Sequence, residues 1–522
     1  MIDTKALRQK VLDLAIRGKL VPQDPNDEPA SVLLERIRAQ KQQMVKEGKL
    51  KAKDIKDDTV IFKGEDNLHY EKFADGSVKC IEDEIPFDLP EGWEWCRIGF
   101  IGSWGAGATP NRTNPEYYNG NIPWLKTGDL NDGYITEIPE SISELALKET
   151  SVRMNPQGSV LIAMYGATIG KLGILTFPAT TNQACCACLP IDGIEKLFLF
   201  YFLLSQREAF VGRGVGGAQP NISKEKIVAT LLPVPPNNEQ KKIIEKIDIA
   251  FSFINVIDKN KADLTATISS VKSKILDLAI RGQLVPQDTN DEPASVLLDR
   301  IRAEKESLIK AGKIKRDKKE SVIFKGEDNS YYVRTAENTE SIEDWKIDTI
   351  PAGWEICCLG EVCDYGNCIN VETDEIGESE WILDLEDIEK DTGRVIQKIR
   401  KKERDVNSTK HLFHEHQVLY SKLRPYLNKV VLSDDCGYCT SEILPLDFNE
   451  AILPEYARYY LMSPTFLAYA DRCSYGVKMP RLGTPDGKKA VFLIPPYQEQ
   501  KRIVEAIDGA FAQLDTLLSA IS

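Results

Sequence analysis

A long internal repeat limits what this chain can fold into more than any other feature. Lys10–Lys41 reads KVLDLAIRGKLVPQDPNDEPASVLLERIRAQK and Lys274–Lys305 reads KILDLAIRGQLVPQDTNDEPASVLLDRIRAEK, identical at 27 of 32 positions. Three shorter matches follow in the same order: VIFKGEDN at 60–67 and 322–329, LPEGWEWCRIG (89–99) against IPAGWEICCLG (350–360), and PPNNEQKKIIEKID (235–248) against PPYQEQKRIVEAID (495–508). The offset between copies falls only from 264 to 260 along the four matches. The chain is therefore two copies of one unit. Between the matched ends, residues from about 100 to 232 and from about 361 to 494 share only a faint skeleton. It consists of Trp124 and Trp381, and of GSVLIAMYGATIGKLGIL against HQVLYSKLRPYLNKVVL. A constant frame holds two variable inserts, and an insert that differs between copies reads something different in each.

The cut between copies is itself informative. Segment 238–281 places apolar residues at alternating steps of four and three: Ile243, Ile247, Ala250, Ile254, Ile257, then Leu264, Ile268, Val271, Ile275 and Leu278, with Lys261 as the interruption. Sustained over about five heptads, this predicts a coiled-coil helix, about 65 Å long at 1.5 Å per residue. Ile503, Ile507, Ala510, Leu514, Leu517 and Ile521 repeat its first half, and Leu7, Val11 and Leu14 its second. By the offsets, Ser522 corresponds to residue 262 and Met1 to residue 265, so the chain ends read as one helix severed in the middle. The expected fold is mixed α+β, pseudo-two-fold and pseudo-circular: two variable α/β inserts on a frame whose severed helix and unbroken central helix form two antiparallel coiled-coil arms, with the chain ends meeting on one of them. The segments are 1–56 (half-arm and short helix), 90–235 (first variable domain), 236–320 (central helix and short helix), 350–495 (second variable domain) and 496–522 (half-arm). Each arm leads through LVPQD into a short helix near Pro29 or Pro293, where proline suits the first turn because its missing N–H would be unpaired there. The basic runs from Arg36 to Lys56 and from Arg300 to Lys319 read as solvated helix ends, or as strips that contact phosphate or a partner.

Composition excludes several classes. A hydrophobic share of 42% and a charged share of 28% are ordinary for a soluble globular protein. The longest apolar run, Leu197–Leu204, falls far short of the roughly 20 residues of a membrane span. MIDTKALRQK has no apolar signal core, and twelve cysteines without a regular framework read as reduced thiols of the cytoplasm. The net charge of −14 argues against a simple nucleic-acid binder, for which a basic footprint is expected. It does not exclude local basic patches, since binding depends on patches and not on the sum.

Each catalytic near-miss fails on a specific point. IPPY (494–497) lacks the polar first residue that an amino-methyltransferase motif needs, and the other copy reads VPPN. GATIGKLG (166–173) has too few residues between glycines and no Ser or Thr after Lys171 to hold a metal ion, so it is no Walker A loop. EGK (47–49) becomes AGK (311–313) in the second copy, which argues against a nuclease. His411, His414, His416, Cys436 and Cys439 are zinc-ligand types whose spacing reads better as a polar loop with buried thiols, and Cys185–Cys188 reads as core. No catalytic residue and no metal site are expected.

The inserts do carry segments suited to reading a polar surface. In the first, GATPNRTNPEYY (107–118) supplies Arg112, and GRGVGGAQPNISKEK (212–226) supplies Gln219, Asn221, Ser223 and Lys224; Lys126 and Lys171 complete the set. In the second, SKLRPYLNK (421–429) supplies Lys422, Arg424, Tyr426 and Lys429, and SYGVKMPRLGTPDGKK (474–489) supplies Lys478 and Arg481. Gln and Asn pair bidentately with adenine, whereas Arg suits guanine and phosphate. Solvated turns with a helix cap are the competing reading of the same loops.

The whole chain resembles the DNA-specificity subunit of type I restriction–modification systems. The resemblance rests on LDLAIRGKLVPQ and its second copy, on YGATIGK with TNQAC, on GGAQPNISKEK, on KLRPYLNKV and on the paired PP…EQ helix openings. It implies a non-catalytic subunit with two target-recognition domains, at about 90–235 and 350–495, joined by two long antiparallel helices and reading an asymmetric, two-part site in double-stranded DNA. It also implies two methyltransferase subunits and two translocating nuclease subunits as partners, to which S-adenosylmethionine, ATP and magnesium belong. The alternative from another class is an interaction scaffold or an acidic DNA-mimicking regulator.

Overall fold

A computed structural model describes residues 2–521, apart from 49, 51, 53–54, 213–220, 313–320, 329, 336–337, 343–344 and 346–348. The fold is mixed α+β, and it divides into two compact units, Ile2–Asn260 and Lys261–Ser522. The division falls inside the central helix, Asn237–Ile280. Among the described residues no helix is long and apolar enough to cross a membrane. The expected meeting of the two chain ends falls on Met1 and Ser522, which lie outside the described residues.

In the first unit the N-terminal helix, Thr4–Ile16, starts at Asp3, whose Oδ1 accepts from the Ala6 N–H at 2.9 Å. It runs beside the first half of the central helix. Arg8 donates to Asn255 (2.9 Å) and Asp258 (2.7 Å), Leu12 and Ala15 share a core with Ile243 and Ile247, and Gln23 reaches Glu239 (3.1 Å). Rising numbers on one segment meet falling numbers on the other, so the pairing is antiparallel. The second unit repeats this with the C-terminal helix, Tyr497–Ile521: Lys272 pairs with Asp515 (2.6 Å), Leu276 and Ala279 share a core with Ile503 and Ile507, and Gln287 reaches Glu499 (3.2 Å).

The seam departs from its expected register in one stretch. Ile243, Ile247, Ile254, Ile268, Ile503 and Ile507 are buried, and Ile275 and Leu514 are half-buried. Leu264 and Val271, read as seam positions, are instead 39% and 40% exposed. A 3.5-residue apolar repeat drifts around a straight 3.6-residue helix by about 20° per heptad. Beyond Ile268 burial passes to Leu276, Ala279 and Ile280, which face the core of the second unit.

The repeated motifs meet at one junction in each unit. After the helix, Gly18 adopts φ +64°, and a Cβ there would lie 2.3 Å from Pro90 Cγ and 3.2 Å from the Trp93 ring. Gly282, at φ +65°, would meet Pro351 at 2.5 Å and Trp354 at 3.2 Å. The glycine after the arm and the Pro-x-Gly-Trp motif are thus two sides of one contact. Gln23 donates to Gly18 O (2.7 Å) and Glu239 Oε1 (3.1 Å), while Trp93 Nε1 donates to Glu239 Oε2 (2.9 Å). The adjacent Gln240, fully buried, donates to Gly193 O (3.1 Å) and Pro235 O (3.2 Å) and accepts from Glu195 N (2.9 Å). Gln500 makes the same set with Ala451, Pro495 and Leu453. Pro29 and Pro293 open the short helices Ala30–Lys46 and Ala294–Lys310, whose first N–H groups donate to Gly92 O and Gly353 O at 2.8 Å. VIFKGEDN in the first unit, and VIFKGED (322–328) in the second, form the first strand and turn of a three-stranded sheet, where Tyr70 and Tyr332 donate to Asp66 and Asp328 at 2.7 Å.

The frame also clamps the ends of each insert. Glu94–Arg97 pairs antiparallel with Leu231–Val234, and Ile98 N donates to Thr230 O (2.9 Å). Glu355–Cys358 pairs with Val491–Ile494, and Leu359 N donates to Ala490 O (2.7 Å). Entry and exit are neighbours, so sequence between them can change without disturbing the frame. Within the first insert a five-stranded sheet runs in the order Gly102–Ala106, Cys185–Pro190, Val160–Ala163, Leu172–Leu175, Gly133–Ile135, and only the last pair is parallel. The second insert has its own five-stranded sheet, with Lys410–Phe413, Gly437–Thr440 and Trp381–Leu383 at its centre. Trp124 and Trp381 are both fully buried.

Gly18→Ala and Gly282→Ala should each destabilise their unit by about 2–4 kcal/mol, adding overpacking to left-handed strain. Gly48→Ala is the control: its φ is +69°, but a Cβ there meets nothing within 4 Å, so only about 1–2 kcal/mol is expected. Denaturant midpoints measured on the full chain check this, and equal losses at Gly18 and Gly48 would contradict it.

Candidate nucleic-acid interface

In the first insert, Val160–Ala163 and Leu172–Leu175 form a hairpin buried along its length. Its loop turns through Gly166 (φ +64°) and Gly170 (φ +77°). Arg207 holds the loop by donating to Gly170 O (2.9 Å) while it pairs with Asp132. The second loop then clasps the first: Ile222 N donates to Met164 O (2.9 Å), and Tyr165 bridges Asn221. Ser223 caps the short helix Lys224–Val228 by accepting from Lys226 N (3.3 Å). Asn221 and Ser223 are exposed beside the half-exposed Tyr165.

The second insert builds the same clasp from unrelated residues. Val418–Ser421 and Val430–Leu432 form the hairpin, and its loop turns through Arg424 (φ +48°) and Asn428 (φ +49°). Leu482 N donates to Lys422 O (3.0 Å), Arg424 N donates to Pro480 O (2.7 Å), and Leu423 bridges Arg481. Both clasps therefore join the hairpin loop to the following loop by one bridge and one equivalent backbone hydrogen bond. Arg424 and Asn428 occupy the places of Gly166 and Gly170. A left-handed conformation at a non-glycine residue costs roughly 1–2 kcal/mol, and here the Pro480 contact helps to hold it.

The clasps bring together several of the predicted residues: Asn221, Ser223 and Lys224 in the first, and Lys422, Arg424, Tyr426, Lys478 and Arg481 in the second. Tyr426 and Lys478 are exposed, and Lys422 is half-buried. Lys171 and Lys224 make no ion pair among the described residues, and Gln219 lies outside those residues. Four of the expected reading cations have partners within the chain, although Arg112 and Lys126 stay 53% and 40% exposed. Arg481 binds Glu442 through two nitrogens (2.6 and 3.0 Å) and donates to Met479 O (3.1 Å). Lys429 donates to Leu385 O (2.6 Å), and burial pushes its pKa down. Arg112 and Lys126 share the Glu140 carboxylate, which Lys126 and then Arg112 hold below its usual range. The Arg112 guanidinium also sits 4.7 Å from the Tyr118 ring centroid and 4.9 Å from that of Trp124. Each partner lies 14 to 44 residues away in sequence, beyond the reach of a local reading.

Sequence reasoning passed over the apolar residues of the second clasp, Tyr475, Val477 and Met479, all exposed. The signal available was Gly476 set among bulky residues in SYGVKMP. A cavity of about 1100 Å³ beside the first insert is lined by Lys41, Asp58, Glu71, Arg97 and Lys224, among others. Most of those charges pair with one another: Lys41 with Asp58 (2.6 Å), and Arg97 with Glu71 (2.6 Å) and Glu84 (2.8 Å). Among the described residues no three His, Cys, Asp or Glu side chains converge as metal ligands, and His411 Nδ1 lies 2.9 Å from Ile443 O.

Residues 90–266 match a family model described as the type I restriction modification DNA specificity domain. The chain is 26% identical over 587 residues to the type I restriction enzyme EcoAI specificity subunit of Escherichia coli, across 97% of this chain and 88% of that protein. It is 28% identical over 412 residues to the EcoEI specificity subunit of Escherichia coli, across 69% of this chain and 61% of that protein, less than two thirds of its length. One solved structure, described as showing complex assembly and conformational transition of the type I R-M system, superposes with a TM-score of 0.53 at 16% identity. That superposition covers 84% of this chain and 94% of the other, and it shows a shared fold. Over residues 90–266 by the family model, and along nearly its whole length by the EcoAI subunit, the chain is similar to type I restriction DNA specificity subunits.

Proposed function

We propose that this chain is the sequence reader of a type I restriction–modification complex and catalyses nothing itself. Each insert reads one half of an asymmetric, two-part duplex site, and the helices fix the spacer between the halves. The observation that carries this reading is the clasp, built twice on one frame from unlike residues. A protein that reads two different half-sites needs a constant mount and two unlike reading surfaces. A scaffold or a DNA mimic has no use for that combination. The working complex contains two methyltransferase subunits and translocating nuclease subunits, which bring S-adenosylmethionine, ATP and magnesium, and it acts in the cytoplasm. With a net charge of −14, this chain relies on local contacts and on its partners to hold the phosphate backbone.

The complex of this chain with methyltransferase subunits should bind its own target at least a thousandfold more tightly than a scrambled duplex, with affinity that falls steeply as salt rises. Titrations at two salt concentrations check this, and equal binding to the two duplexes would refute the reading. Inserting four residues near Lys261 should lengthen the required spacer by one or two base pairs, because a helical turn rises about 5.4 Å against about 3.4 Å per base pair. Methylation sequencing reads the spacer directly, and an unchanged spacer would mean the helix does not set it.

A further inference from the structure

The second clasp ends in a narrow β-ribbon with an apolar tip. Ser474–Tyr475 pairs antiparallel with Arg481–Leu482, and Gly476 (φ +100°) turns the chain into Val477, Lys478, Met479 and Pro480. Val477 is fully exposed, Tyr475 is 62% exposed, and Met479 is 44% exposed. Tyr426, on the hairpin loop that the ribbon clasps, is 52% exposed.

This tip is anchored at its base. Leu482 N donates to Lys422 O and Pro480 O accepts from Arg424 N, which fastens one side of the ribbon to the hairpin loop, and Arg481 ties the base to Glu442 and to Met479 O. Arg481, the side chain best suited to guanine, is thereby occupied. Lys429 is occupied by Leu385 O in the same way. The ribbon instead presents apolar side chains and one exposed cation, Lys478. Apolar groups held out in water are unfavourable until something covers them. The major groove admits a two-stranded ribbon, and the apolar group that a base edge offers there is the C5-methyl of thymine.

We infer that Val477 and Met479 read thymine through its C5-methyl group in the major groove, with Lys478 on a flanking phosphate. The inference rests on the proposed reading of the chain as a DNA-specificity subunit. It makes the second insert a reader by apolar contact, not by an arginine–guanine pair.

Deoxyuridine, which lacks only that methyl, provides the test. The full chain with its methyltransferase subunits is titrated with its target duplex, found by methylation sequencing, and with duplexes carrying deoxyuridine in place of each thymine in turn. One or two positions, all in one half-site, should lose about three- to tenfold in affinity, since one buried methyl contributes about fourfold. Val477→Ser, at an exposed position that leaves the fold intact, should lose a similar factor on the thymine duplex. It should then be indifferent to deoxyuridine at the same position. The inference is overturned if no thymine responds, if the target has no thymine, or if the Val477→Ser and deoxyuridine losses multiply. Specific binding that ignores the methyl would sink this inference alone, whereas equal binding to target and scrambled duplexes would sink the DNA-specificity reading beneath it.

Discussion

Everything else in each unit hangs on the junction of Gly18, Pro90, Trp93, Gln23 and Glu239, and on its second copy around Gly282, Pro351 and Trp354. The contact joins three stretches far apart in sequence: the end of an arm helix, the start of the insert frame, and the first turn of the opposing helix. Its polar core is buried. Burial pushes the Glu239 carboxyl pKa up, and the donors on Trp93 and Gln23 pull it back only in part. Glu499 is raised by burial in the same position of the second unit. In the first unit Gln23 and Trp93 supply the donors that a buried carboxylate needs, whereas in the second only Gln287 reaches Glu499, and Glu499 Oε2 and Trp354 Nε1 make no hydrogen bond among the described residues.

Because the junction and the paired frame strands fix where an insert starts and ends, the interior of the insert is free to vary. It does vary, yet both inserts close the same clasp between a hairpin loop and the loop that follows. What is shared is backbone: a donor at Ile222 or Leu482, an acceptor at Met164 or Lys422, and a bridge beside each. What differs is the side chains mounted on it, with Asn221, Ser223 and Tyr165 in one and Tyr426, Val477, Lys478 and Met479 in the other. Backbone geometry supplies the mount and side chains supply the message.

The frame was legible in the sequence because its signals are local or repeated. A glycine after an apolar helix, a Pro-x-Gly-Trp, a Pro-Pro before Glu-Gln and a run of heptads each name an element, and their recurrence names the architecture. What the sequence did not show includes side-chain partners that lie far away along the chain. Arg481 reads as a guanine donor until Glu442, 39 residues earlier, takes its guanidinium. Lys429 and Arg112 are engaged in the same manner by Leu385 O and Glu140. Leu264 and Val271 follow the heptad on paper but turn outward, because a straight helix does not keep a 3.5-residue repeat on one side. The apolar ribbon tip was missed for the opposite reason: Val and Met in a loop suggest core, and only their exposure marks them as a surface that awaits a partner.

The central claim is that a constant frame carries two independent readers, and one experiment addresses it most directly. Residues 98–230 are replaced by residues 359–490, so that both positions carry the second insert. The chain is then expressed with methyltransferase subunits, and the modified sites are found by methylation sequencing. The expected result is a site containing two copies of the second half-site, with the first half-site gone. Persistence of the first half-site, or loss of all recognition by a chain that still unfolds cooperatively, would contradict the claim.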